Sequence, residues 1–119
     1  MATKLKIYRE AWTTLMLALD ASDQTKKFDR YVIVKPMIYS LIAMIPLISL
    51  ANQEYDQSKR LRYLRYLKVA FELFYALSRV CRERGLYKPH VNMKLVLSAD
   101  ELIKQINGWI KNTESRLKG

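Results

Sequence analysis

From Ser58 to Arg84 the chain reads SKRLRYLRYLKVAFELFYALSRVCRER, and at about 3.6 residues per turn its apolar positions fall into two stripes. One is Leu64, Leu67, Phe71, Phe74 and Cys81. The other, Tyr66, Ala70, Leu73, Leu77 and Val80, lies about a quarter turn away. Arg62, Arg65, Val69, Glu72, Ala76, Arg79 and Glu83 share a narrow and largely polar face. Two apolar stripes require more than one partner helix, so the spacing predicts a central helix. Gly85 follows, a residue suited to the left-handed position beyond a helix end.

Three further helices are predicted around it. The first runs from about Thr3 to Asp20, with Leu5, Tyr8, Trp12, Leu15, Met16 and Leu19 inward and Lys4, Lys6, Arg9 and Glu10 outward. A turn is expected over Ala21 to Asp29, where Ser22, Asp23 and Thr25 cluster and Phe28 is placed to pin the loop to the bundle. The next helix, PMIYSLIAMIPLISLANQ from Pro36 to Gln53, carries no charge at all. Its length approaches that of a membrane span, but Pro36, Pro46, Asn52 and Gln53 interrupt it, and the other helices each need a shared core. It reads as an enclosed bundle helix. Glu54 to Gln57 form a short polar turn. After Leu86 to Pro89, the last helix shows Leu95, Ala99, Leu102, Ile106 and Trp109 in one stripe, with Gly108 permitting close helix contact. Short connections between four long helices predict an all-α, antiparallel up-down-up-down bundle forming one domain over residues 1–119.

Charge changes this picture. The formal net charge is +10, which makes a polyanion the first partner to consider. The central helix alone holds Lys59, Arg60, Arg62, Arg65, Lys68, Arg79, Arg82 and Arg84 against Glu72 and Glu83. Tyr63 and Tyr66 lie among these arginines, where they either stack bases or pack against neighbours. Cys81 is the single cysteine and falls on an apolar stripe, so a buried thiol in a reducing cytoplasm is expected rather than a nucleophile. The N-terminal stretch lacks the uninterrupted apolar segment of a secretion signal, and a cytoplasmic protein is expected.

Catalytic chemistry finds no constellation. One histidine, His90, and one cysteine do not make a metal site. Gly85, Gly108 and Gly119 are too scattered for a phosphate loop. Asp20 with Asp23, and Asp100 with Glu101, sit in turns or on polar faces. No enzyme, no metal and no cofactor are expected.

The segment KRLRYLRYLKVAFELFYALSRVCRERGLYKP, followed by ADELIKQINGWIKN, resembles the four-helix-bundle family of the Avd accessory proteins of diversity-generating retroelements and the 23S ribosomal RNA intervening-sequence proteins. The shared features are an arginine- and leucine-rich third helix, the Gly85-Leu86 exit and the closing run Gly108-Trp109-Ile110-Lys111. Ile42-Ala43-Met44-Ile45-Pro46-Leu47 is similar to the proline-bearing second helix of the intervening-sequence branch. That branch continues into Asn-Ile-Ala-Glu-Gly, whereas this chain reads Leu47-Ile48-Ser49-Leu50-Ala51-Asn52, which favours the retroelement branch.

The resemblance implies a homopentameric barrel whose basic surface binds reverse transcriptase and template RNA, with RNA/cDNA copying as its setting and no catalytic residues of its own. It carries the basic-surface role onto Arg60, Arg62, Arg65, Lys68 and Arg79, and further onto Lys104 and Lys111. The alternative is an intervening-sequence-type bundle acting as a structural or interaction module with an unknown partner. A membrane-associated protein built around the second helix is a third and disfavoured reading. Two apolar stripes on the central helix would leave a monomer with an exposed apolar patch, so self-association is expected.

Overall fold

A computed structural model describes residues 5–119. The described residues form four long helices: α1 (Lys6–Ala21), α2 (Lys27–Gln53), α3 (Gln57–Glu83) and α4 (Pro89–Lys118). The start expected at Thr3, and Lys4 with it, lie outside the described residues. Each helix packs on its neighbours in sequence, and α1 closes the ring against α4. At about 1.5 Å per residue α3 is about 40 Å and α4 about 45 Å long, and connections as short as residues 54–56 turn successive helices antiparallel within a 50 Å bundle.

Local chemistry sets the ends. Asp56 caps α3, its carboxylate accepting from the Ser58 and Lys59 amides at 2.9 and 3.3 Å. At the other end Gly85 adopts φ +63°; its amide donates to the Arg82 carbonyl and the Leu86 amide to the Cys81 carbonyl, the paired bonds of a Schellman ending. Pro89 opens α4, where a missing N–H costs nothing.

Met37, Leu41, Met44 and Ile48 of α2 meet Leu64, Leu67 and Phe74 of α3 and Leu95, Leu102 and Ile106 of α4 in a continuous core. The first stripe expected for α3 and the stripe of α4 are these residues, although Trp109 is only half-buried; of the second α3 stripe Tyr66 and Leu73 are exposed and Ala70, Leu77 and Val80 half-buried. Phe71 and Phe74 meet edge to face with centroids 6.0 Å apart, a geometry favoured by the ring quadrupoles.

Four expectations need correction. The inward face of α1 is Ile7, Ala11, Thr14, Leu15 and Ala18, while Trp12, Met16 and Leu19 are exposed. Small side chains let α1 approach its neighbours closely, and buried Thr14 satisfies its hydroxyl by donating to the Glu10 carbonyl at 2.7 Å. Second, α2 begins nine residues before Pro36, at Lys27, and runs through that proline. The Lys35 amide donates to the Arg30 carbonyl, and this wide turn over Arg30–Val34 accommodates the proline ring without ending the helix. Phe28 is consequently in the first turn of α2 and 70% exposed, pinning nothing. Third, α2 is not enclosed: Tyr31, Val32, Tyr39, Ile42 and Leu50 face outward, and 44% of its most apolar stretch is buried. By length and composition it is the one helix among the described residues able to cross a membrane. Finally, Gly108 is exposed and a Cβ there would meet no atom within 4 Å, so it permits no close contact within the single chain.

Candidate nucleic-acid interface

Because Leu64, Leu67, Phe71 and Phe74 turn inward, the opposite face of α3 is obliged to meet solvent. Arg62, Arg65 and Arg79 are exposed there, and Lys68 is half-buried. The long contact between the Arg65 guanidinium and Glu114 of α4, 3.8 Å, brings the two helices' outward faces together, and with them Lys111 one turn from Glu114. Both partners are well exposed, so the pair adds little to stability and leaves the arginine available. Arg79 donates to Glu83 at 3.3 Å, again on the surface. Arg62, Lys68, Lys104 and Lys111 make no ion pair among the described residues.

Arg60 does not belong to this face. Its guanidinium donates to the Ala51 carbonyl at 2.9 Å and to the Glu54 carbonyl, so it occupies the last turn of α2, where unpaired carbonyls concentrate negative potential. Six of the seven expected basic residues therefore remain accessible, and the seventh has a structural occupation.

Tyr63 and Tyr66 part company. Tyr63 packs against the core margin and Tyr66 is 55% exposed, so only the second is presented beside Arg62 and Arg65. On α4, Glu101 accepts from Lys6 at 2.9 Å and from Gln105 at 3.0 Å; the Lys6 bond first, then the Gln105 bond, holds its carboxyl below the usual carboxylate range.

The opposite end of α3 is locked differently. Arg84 donates to Asp29 of α2 at 2.9 Å, and Asp29 is buried. Cys81 lies fully buried, and loss of hydration, followed by the Asp29 charge, pushes its thiol up to about 11. At neutral pH it is protonated and unreactive. Burial likewise raises the Tyr87 phenol, whose oxygen has no hydrogen-bond partner. His90 is exposed in the first turn of α4, and Asp20, Asp23 and Asp100 are exposed as well.

A second concave feature escapes the sequence pattern. The C-terminal end of α1 and the first half of α2 enclose a groove of about 510 Å³, with Lys27, Arg30 and Lys35 among aliphatic and tyrosine side chains. Reading Ala21 to Asp29 as a turn and starting the helix at Pro36 conceals it. The regular four-residue interval of Lys27, Tyr31, Lys35 and Tyr39 is the available signal.

No protein-family model and no curated protein matches this chain.

Proposed function

We propose that the protein is a non-enzymatic, nucleic-acid- and reverse-transcriptase-binding accessory protein of a diversity-generating retroelement, working in the cytoplasm as a homo-oligomer, most simply a pentameric ring. The observation that carries this reading is the outward α3–α4 surface, where Arg62, Arg65, Arg79, Lys104 and Lys111 are all exposed. Its support from sequence is the ordered agreement of the arginine-rich third helix, Gly85-Leu86 and Gly108-Trp109-Ile110-Lys111 with the Avd-like family. Point charges spread along two helices meet phosphates wherever these fall, so binding is driven by charge and carries no base code. Uncovered apolar residues away from the α1–α2 groove, Trp12 and Met16 of α1 and Val69 and Leu73 of α3 among them, supply a reason for subunits to associate.

The test is a fluorescence-anisotropy titration of labelled RNA and DNA at several salt concentrations. Arg62→Glu with Arg65→Glu should weaken both and flatten the dependence of log affinity on log salt by about 0.7 to 0.9 for each phosphate no longer neutralised. Unchanged affinity in a correctly folded double variant would remove α3 from the interface. Light scattering that finds a stable monomer at micromolar concentration would remove the ring. A reverse transcriptase gene beside paired template and variable repeats separates this reading from the intervening-sequence alternative.

A further inference from the structure

Lys27, Tyr31, Lys35 and Tyr39 recur every four residues and all line the groove between α1 and α2. The two tyrosines are 57% and 56% exposed, and the Lys35 ammonium lies 4.6 Å from the centre of the Tyr31 ring. Arg30 closes one end, its guanidinium fixed by the Ser22 and Thr25 carbonyls at 3.3 and 2.7 Å. Among the described residues no carboxylate lines the groove, so Lys27 and Lys35 are uncompensated by its own walls.

We propose that this groove is a single-strand nucleic-acid site, in which Tyr31 and Tyr39 stack on bases while Lys27 and Lys35 meet the adjoining phosphates. Aromatic platforms alternating with cations are what an unpaired strand requires, since every base offers a flat face and every linkage a charge. Eight residues of helix separate the two rings by about 12 Å, several times the roughly 3.4 Å between neighbouring bases along a strand, so each ring serves a different base. A second copy of the same flank is a poorer occupant, because a two-fold contact would set these cations against their own images. The site rests on the nucleic-acid reading above but differs from the α3 face in kind: it recognises exposed bases, which a duplex conceals.

The experiment compares binding of a labelled single-stranded RNA and the corresponding duplex by anisotropy across a salt series. Tyr31→Leu with Tyr39→Leu keeps apolar bulk and removes the rings; both positions are exposed, so the fold should survive, as circular dichroism will verify. Single-strand affinity should fall about tenfold or more while duplex affinity and the salt dependence stay as in wild type. The paired Phe variants should bind like wild type. Single-strand affinity unchanged in the Leu pair overturns the site, as does a drop in the Phe pair equal to that in the Leu pair. If Arg62→Glu with Arg65→Glu weakens binding and the Leu pair does not, the groove is excluded and the α3 interface stands. Wild type that binds no nucleic acid excludes both.

Discussion

The bundle has two unlike flanks. Along α3 and α4 the outward face sets Arg62, Arg65, Arg79, Lys104 and Lys111 among exposed Tyr66, Val69 and Leu73, over a core stripe that is large, regularly spaced and covered. Along α1 the pattern blurs: Ala11, Thr14 and Ala18 join Ile7 and Leu15 at the core while Trp12 and Met16 face outward, and the first half of α2 turns Tyr31, Tyr39 and Ile42 out. The first flank interleaves its uncovered apolar residues with charge. The second leaves apolar side chains uncovered, which is the condition of a surface that meets something else.

Substitutions on α2 test that contrast most strongly. Met44 and Ile42 are two positions apart, yet Met44 is fully buried and Ile42 is 46% exposed. Met44→Ala should cost about 2–5 kcal/mol in denaturant unfolding, and Ile42→Ala less than about 1 kcal/mol in a dilute monomer. An equal cost at both sites in the associated protein would mean that subunits cover Ile42. Next in size is Arg60→Ala, which removes two charge-assisted bonds to the end of α2 and should cost about 1.5–3 kcal/mol. RNA affinity should not change. Arg62→Ala should do the reverse, altering affinity while leaving the melting temperature in place. A lower affinity for the Arg60 variant at full folding would return that residue to the interface.

These neighbouring arginines show how far the sequence is legible. The stripes of α3 and α4 can be read because leucines, isoleucines and phenylalanines recur at helical spacing and dominate any hydropathy pattern. Exposure of Arg62, Arg65 and Arg79 follows directly. The occupation of Arg60 does not, since its partners are backbone carbonyls of another helix. Nor does the α1 face, because Ala11, Ala18 and Thr14 carry almost no apolar signal, while the larger residues beside them do. Pro36 reads as a boundary because a proline ordinarily restricts the residue before it to extended backbone. Lys35 nevertheless keeps helical angles, and the wide turn over Arg30–Val34 makes room for the ring, so the helix extends back to Lys27 and brings Lys27, Tyr31, Lys35 and Tyr39 onto one groove.

Smaller effects sharpen the contrast at the charged flank. Gly85→Ala should cost about 1–2 kcal/mol, since its φ of +63° strains any side chain even though the added methyl meets no atom. Thermal unfolding followed by circular dichroism will register this as a lowered midpoint. Cys81 should be inert toward a disulfide reagent at pH 8 and react on addition of denaturant. Burial keeps its proton to about 11, so below that pH the folded state presents almost no thiolate. Rapid reaction of the native protein would show that the end of α3 opens.

The Arg84–Asp29 bond joins residues 55 apart in sequence, the last turn of α3 to the first of α2. Between them lie only α2, a short turn and α3, so this bond closes a hairpin of two long helices. Loop-closure cost grows slowly with length, and the interhelical packing gathered on the way offsets it. The α2–α3 pair is thus arranged to zip from the turn at residues 54–56 toward the bond, a local route of the kind that makes helical bundles fast folders. Only the packing of α1 on α4, tied at the surface by the Lys6–Glu101 bond, must wait for the chain ends to meet. In kinetic terms the α1–α4 seam, which joins the elements farthest apart in sequence, is the last contact to close.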